Sequence, residues 1–536
     1  MKDFGVLSLF LCLFLCSNAY KLVIFVPNLA NSQTQFSVRV GEALANGGHD
    51  VTLVLETYLS GFKTDVKAPK GVKFYHLNAY VEGITKEIIE RDMASGMFED
   101  LGLMGTPKLM RMFGNITRVM SEGCRLALRD KEFLNWLKAE KFDLAYASAV
   151  STCDIGLIHA AGIPTWAWLN SGPLVDHVAK SVGVPIIPSY VPAMLMESTD
   201  EMTFLQRTKS WVGHAMTMPM YRKMFTDGDT RMFREELNDP NFPDTYDLAA
   251  KCPLVFVNTN EMYDFPRPTL AKIVNIGGLG VGFDSAKPLV GKFKELSETG
   301  KGLVIFSFGS VAGAHEMPLA WKNALLESFR SFPDYQFVMR YVADDLNDRL
   351  PKNVYLSKWL PQKDLLLHDH TKAFITHGGY NSMQEAISAG MPLVTIALGG
   401  DQPKNAQLAR KLGIAVNIAK STISKETVTA ALQEVLTNLS YKEKAQLFSA
   451  MVRAQPVKPA ERLVRWSEFL AEFKTLDHLR PAGQQLNFLQ YHSFDVIGFL
   501  ITISLFVLFL AYRMLRWLTR KISKILCRKS TKSKHD

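Results

Sequence analysis

Residues Trp359 to Gln402 read WLPQKDLLLHDHTKAFITHGGYNSMQEAISAGMPLVTIALGGDQ. Within them, Ala373 to Thr376 and Leu393 to Ala397 are short, mostly apolar runs, the pattern of parallel strands buried on both faces. The first run ends at His377-Gly378-Gly379, a helical pattern opens near Asn381, and Gly390 followed by Pro392 stops it. Strand, glycine turn and helix start together make a seat for an anion. Glycines let backbone approach a ligand closely, and the unpaired amides at the positive end of a helix dipole suit a diphosphate.

The same grammar extends upstream. Leu303 to Ser307, Phe337 to Tyr341 and Val354 to Leu356 read as further buried strands separated by helical stretches. Near the start, Lys21 to Val26, a polar loop, a helical pattern from Phe36 to Ala45, the stop Gly47-Gly48 and Val51 to Leu55 form a βαβ unit. The expected fold is therefore α/β, with two Rossmann-like doubly wound domains meeting near Phe265-Pro266-Arg267-Pro268, where prolines interrupt both periods. Ligands of such sheets bind in the crevice beyond the carboxyl ends of the strands. A chain of 536 residues, 47% hydrophobic and 21% charged, has the length and balance for two such domains and is not a disordered one. No G-x-G-x-x-G follows the first strand, which argues against a dinucleotide-dependent oxidoreductase.

Several side chains converge on the anion seat. Glu385, further along the helix, is placed for ribose hydroxyls, and Asp401-Gln402, after the next strand, for sugar hydroxyls. Trp359 offers a flat face for a base, Gln362 a hydrogen bond to a base edge or hydroxyl, and Ser310, after the Leu303 strand, a loop contact to phosphate. Between the two halves, Met194 to Met232 holds eight of the 22 methionines, interspersed with Phe204, Trp211, Tyr221, Phe225 and Phe233. Such a segment fits a pliable apolar acceptor surface, a buried helical excursion or contact with a membrane surface.

The two ends predict a secreted-pathway membrane protein. Phe4 to Cys16 is an apolar run followed by Ser17-Asn18-Ala19, a signal peptide with cleavage near Ala19. Val496 to Tyr512 carries no charge and is long enough to span a bilayer core. Behind it, nine Lys or Arg residues face one acid, Asp536, which keeps that tail cytoplasmic and the body lumenal. This tail holds +8 of the chain's formal +9, so the overall basicity is a topology signal and not nucleic-acid affinity. Lys532 and Lys534 resemble the dilysine retrieval signal of the endoplasmic reticulum. On the lumenal side stand Cys124, Cys153 and Cys252, for which a Cys124–Cys153 bridge is expected, and two glycosylation triplets, at Asn115 and Asn438.

Together, Gly48-His49-Asp50-Val51-Thr52, the Phe306-Ser-Phe-Gly-Ser310 loop, the signature from Trp359, and Asp477 to Arg480 and Gln490 to Gly498 leading into the span are similar to the UDP-glycosyltransferase family. The chain resembles its UDP-glucuronosyltransferase branch, nematode members in particular, over nearly its whole length. The resemblance implies the GT-B arrangement: a signal peptide over 1–19, an acceptor-binding domain over 20–268, a UDP-sugar-binding domain over 269–450, return helices and a juxtamembrane segment over 451–495, the span over 496–512 and the tail over 513–536. It implies that Trp359 and Gln362 hold the nucleoside; that Ser310, His377 and the backbone from Gly379 through Asn381 to Ser382 hold the diphosphate; that Glu385 holds the ribose; and that Asp401 and Gln402 hold the sugar. UDP-glucuronate or UDP-glucose is then donor substrate, a small lipophilic compound is acceptor, no metal is needed, and homo- or hetero-oligomers are open. Ala397 stands where many relatives have proline, and Gly399-Gly400 replaces a bulkier pair beside the sugar.

In the family, a histidine in the first βα loop, oriented by an acid, takes the acceptor's proton as its oxygen displaces UDP with inversion. Aligned without a gap, Gln33 stands at the histidine and Ser148 at the acid. Glutamine cannot hold a proton near neutral pH. The nearest substitutes in sequence are Asp154 and His159, which otherwise read as a surface acid and a helix histidine.

Overall fold

The computed structural model describes residues 19–28, 31–61, 66–98, 106–281, 286–309 and 312–532. The signal segment up to residue 18, Ser310 and the last four residues lie outside them.

Thirteen strands, among the described residues, form two all-parallel sheets. The first contains β1 (Lys21–Pro27), β2 (Asp50–Thr57), β3 (Val72–Asn78), β4 (Leu144–Ser148), β5 (Trp166–Asn170), β6 (Leu254–Val257) and β7 (Ile273–Asn275), in the order β3-β2-β1-β4-β5-β6-β7. The second contains β8 (Gly302–Ser307), β9 (Tyr335–Arg340), β10 (Val354–Ser357), β11 (Thr371–Thr376), β12 (Leu393–Thr395) and β13 (Ala415–Asn417), in the order β10-β9-β8-β11-β12-β13. Both are the doubly wound sheets expected. Their strands read as continuous apolar runs because helices cover both faces. In β1, Val23 and Phe25 face one core while Leu22, Ile24 and Val26 face the other.

Strand order reverses between β1 and β4 in the first sheet, and between β8 and β11 in the second. Loops at a reversal diverge to opposite faces and leave a crevice, so these two points fix where ligands can sit. Gln33 and Ser148 flank the first; Gly309 and His377 flank the second.

The first helix, Asn31–Asn46, begins five residues before its apolar period does. Periodicity cannot register a polar first turn, and Gln33 therefore stands on a helix rather than in the polar loop expected. A late helix, Pro459–Phe473, returns to the first sheet. Leu463 and Leu470 enter the core that the Asn31–Asn46 helix covers, and Tyr146 on β4 hydrogen-bonds Ser467 at 2.5 Å. On the opposite face, Cys124 of the helix Thr106–Arg129 is disulfide-bonded to Cys153, at the start of the helix Cys153–Ala161. Cys252 is buried as a free thiol.

Residues 19–479 are one compact unit and residues 480–532 belong to a second. In the latter, a single helix runs Phe494–Lys532, and its stretch Phe494–Leu526 is long and apolar enough to cross a membrane. The expected span, Val496 to Tyr512, lies within it.

Candidate functional site

The second sheet builds the anion seat. Where β11 ends, Gly378 takes a left-handed φ of 82° and Gly379 caps the helix Tyr380–Ser388. With no side chain to cap, Gly379 leaves the amides of the first turn without an intrahelical acceptor. The His377 ring is wedged between two glycines. A Cβ on Gly309 would come within 2.9 Å of it, and one on Gly379 within 2.7 Å. Burial, and then the nearby charge of Arg340, push the His377 imidazole down to about 4, so it is neutral at physiological pH and offers hydrogen bonding rather than charge.

Around this seat the structure gathers most of the residues singled out from sequence. Trp359 is 64% exposed, a free platform and not a core residue, with the Arg340 guanidinium 5.4 Å from its ring centre. Gln362 donates to Glu385 at 2.7 Å and to the Ser382 hydroxyl at 3.3 Å. Asp401 accepts from Asn405 at 2.8 Å, and the same Asn405 amide reaches the Gly378 carbonyl at 3.1 Å, tying the loop before the next helix to the glycine turn. Burial raises the Asp401 carboxyl. The Gln402 carbonyl oxygen accepts from the amides of Leu398 at 2.9 Å and Gly399 at 3.2 Å. Its acceptor thus shapes the glycine loop. Ser310 lies outside the described residues.

Three residues that sequence reasoning missed complete the cleft. Arg340 ends β9 and donates to the Gly309 carbonyl; a lone charge at the carboxyl end of a buried parallel strand was the available signal. Arg39, on the first helix, meets Glu385 at 3.4 Å from the other domain. Asn258, after β6, donates to Asn381 at 3.0 Å and to the Ser171 carbonyl at 2.9 Å. No local pattern marks the last two, because their partners are remote in sequence.

The first sheet supplies the facing wall. Gln33 and Ser148 line one pocket with Phe25, Pro27, Phe36 and Ser171, enclosing about 280 Å³ of space, open solvent included. Asn381, in the first turn of the Tyr380–Ser388 helix, donates to the Ser32 carbonyl at 3.2 Å, so this pocket adjoins the glycine turn.

The chain from residue 23 to residue 529 matches the model of the family described as UDP-glucoronosyl and UDP-glucosyl transferase. It belongs to that family. Human UDP-glucuronosyltransferase 2B7 is 31% identical over 92% of both chains, and the nematode relative ugt-47 of Caenorhabditis elegans is 30% identical over 89% of both. Among solved structures, the glycotransferase of kitacinnamycin shares the fold, with a TM-score of 0.56 at 17% identity over 87% of this chain and all of that one. The GT-B architecture of this UDP-glycosyltransferase family member is thus shown by sequence and by shape.

Neither Asp154 nor His159 lines the pocket of Gln33 and Ser148. Asp154 is fully buried and accepts from the Ser148 backbone amide at 2.7 Å; the surface acid expected there is corrected to a core one. Its helix packs against the Val23 face of the sheet, whereas the Gln33 helix packs against the Leu22 face. His159 sits on the last turn of the same helix, its ring edge on Phe242.

Proposed function

We propose that this chain is a membrane-anchored transferase that moves glucuronate or glucose from a UDP-sugar to small lipophilic acceptors with inversion. The carrying observation is the Asn381 to Ser32 hydrogen bond, which couples the diphosphate seat directly to the pocket holding Gln33 and Ser148. Trp359 and Arg340 clasp the base, Glu385 and Gln362 the ribose, the first-turn amides and neutral His377 the diphosphate, and Asp401 the sugar. The acceptor's oxygen, sulfur or nitrogen bonds to the anomeric carbon as the carbon–oxygen bond to UDP breaks. Its proton leaves to water, since Gln33 carries no basic lone pair. Acceptors already nucleophilic, such as thiolates, amines and acidic phenols, are favoured, because positioning then supplies most of the acceleration. No resident metal or cofactor enters this scheme.

The body lies on the lumenal side of the endoplasmic reticulum, behind a cleaved signal peptide, with the basic tail cytoplasmic. The signal is read from Phe4 to Ala19, the side from the Lys and Arg bias after Tyr512, and the compartment from Lys532 and Lys534. A Cys124–Cys153 bond fits that oxidising space.

Gln33 and Ser148 facing one pocket also favour a second function, a UDP-sugar-binding relative that transfers little and assists active ones. Full chain in lipid nanodiscs, given UDP-glucuronate and UDP-glucose with phenols, thiols, amines and alcohols, separates the two. Product on the nucleophilic acceptors supports transfer. A chain that binds UDP yet is inert on every acceptor leaves only the second function.

A further inference from the structure

The helix Phe204–Tyr221 is built inside out. Thr203 and Gln206 form a capping box that starts it, and Ser210, His214 and Tyr221 are its buried stripe. Ser210 donates to the Val191 carbonyl at 3.1 Å, and His214 Nε2 lies 2.8 Å from the same oxygen, so polar side chains anchor the helix to the body. Its apolar residues point the other way. Phe204, Leu205, Trp211, Val212, Met216 and Met220 recur at helical spacing on the opposite side, and all are exposed, Phe204 by 77% and Trp211 by 61%. Ordinary surface helices bury that face.

We infer that this face lies on a lipid bilayer. Two observations select that occupant. From residue 204 to residue 226 the chain carries Arg207, Lys209, Arg222 and Lys223 and no acid, and among the described residues only Arg222 has a carboxylate within ion-pair distance. Arg207 and Lys209 are both exposed, Arg207 at the edge of the apolar face and Lys209 within it. An apolar face with Trp and Phe, carrying unpaired basic residues, is the composition of helices that lie in the headgroup region, where the cations meet lipid phosphates. The second is the tether. The apolar helix Phe494–Leu526, taken as the membrane span, holds the body within reach of a bilayer at all times, so even a modest interfacial preference becomes occupancy. The inference rests on that anchor reading.

The test uses full-length chain with Cys527→Ser, reconstituted in phosphatidylcholine and phosphatidylserine vesicles. Nitroxide labels are placed singly at Val212→Cys and Met216→Cys, with Asp348→Cys as a water-exposed control and Leu505→Cys as a probe of the span. Collision with oxygen relative to a water-soluble nickel chelate is expected to be several-fold higher at 212 and 216 than at 348. Water-like values at 212 and 216 would overturn the inference. So would spectral broadening there that vanishes on dilution with unlabelled chain, which would mean that a second copy covers the face. A water-like value at 505 sinks the anchor reading separately, while the labels at 212 and 216 still decide the interfacial one.

Discussion

The guanidinium of Arg39 stands 3.4 Å from the carboxylate of Glu385, and the other oxygen of that carboxylate accepts from Gln362 at 2.7 Å. One carboxylate therefore joins both domains and the Gln362 side chain. The Arg39 stem packs on Gly280, in the connection between the sheets, so the pair sits where the domains articulate. Five outcomes follow from this and neighbouring geometry.

Replacing Glu385 by Ala removes the carboxylate proposed to hold the ribose. Hydrogen bonds to a charged group are worth about 1.5–3 kcal/mol, so UDP affinity by titration calorimetry should fall roughly 10- to 100-fold. The pair with Arg39 is partly solvated, so urea unfolding should register a loss of no more than about 1 kcal/mol. Unchanged UDP affinity would remove Glu385 from the donor site.

Gly379 has φ −60°, which alanine accepts, but its Cβ would stand 2.7 Å from the His377 ring. Gly379→Ala should displace that ring and abolish measurable UDP binding, with the fold intact by circular dichroism. Gly400 makes the contrast. At φ 64° with nothing within 4 Å, its alanine variant should cost about 1–2 kcal/mol of backbone strain yet leave UDP binding near wild type.

Because Gln33 and Ser148 line the same pocket, Gln33→His together with Ser148→Asp rebuilds an oriented base. Turnover on alcohols and simple phenols should rise about 10²-fold or more, and the rate should acquire a fall at acid pH as the imidazole protonates. A larger gain from the pair than from Gln33→His alone is the signature of orientation. No gain from either would mean that the acceptor oxygen does not approach Gln33.

Beneath Ser148 lies a knot of buried acids. Burial pushes Asp154 up to about 7 from an ordinary 3.8, and Asp229, which accepts from Thr152 at 2.6 Å, up to about 6. Glu56 is raised by burial and by Asp154. A carboxyl raised on folding contributes stability below its unfolded value and loses it as pH rises through the folded one. Wild type should therefore shed on the order of a few kcal/mol between pH 4 and 7 from Asp154, and Asp154→Asn, which keeps the oxygen facing the Ser148 amide, should not. His377 works in the opposite sense: lowered to about 4, it contributes above 6.5 and is lost as pH falls. Chemical unfolding of both chains across this range isolates the difference.

Reduction should raise the intact mass by two hydrogens, for the Cys124–Cys153 bond alone. The bond closes a segment of 29 residues in sequence separation, and Cys124→Ala with Cys153→Ala should lower stability by about 3–4 kcal/mol on the loop-entropy account. A mass unchanged by reductant would show that the thiols are free.

Much of this was legible in one dimension, and for a local reason. Buried parallel strands are continuous apolar runs, and His377-Gly378-Gly379 joins a strand to a helix within a few residues, so the opening βαβ unit of the first sheet, five of the six strands of the second and the glycine turn could be read from neighbours in the chain. The ungapped spacing from Ser32 to Thr52 likewise located Gln33, though not the helical turn that carries it, since a polar first turn has no apolar period. Trp359 shows the limit. Its flat face was evident from sequence, but exposure, and the guanidinium beside it, depend on where β9 ends relative to β10.

What sequence determined, then, was what contiguous residues carry: the fold class, the strand, glycine turn and helix start from Ala373, the apolar helix near the carboxyl end and the side chains, Gln33 and Ser148, that stand in the first-sheet crevice. Tertiary structure decided everything that needed two remote segments in one place. It joined Arg39 to Glu385 and Asn381 to Ser32, buried Asp154 behind the sheet rather than leaving it at the surface, and turned the apolar face of the Phe204 helix outward. Periodicity reveals that a helix has two faces. Which of them meets the core is set by the packing of the whole chain.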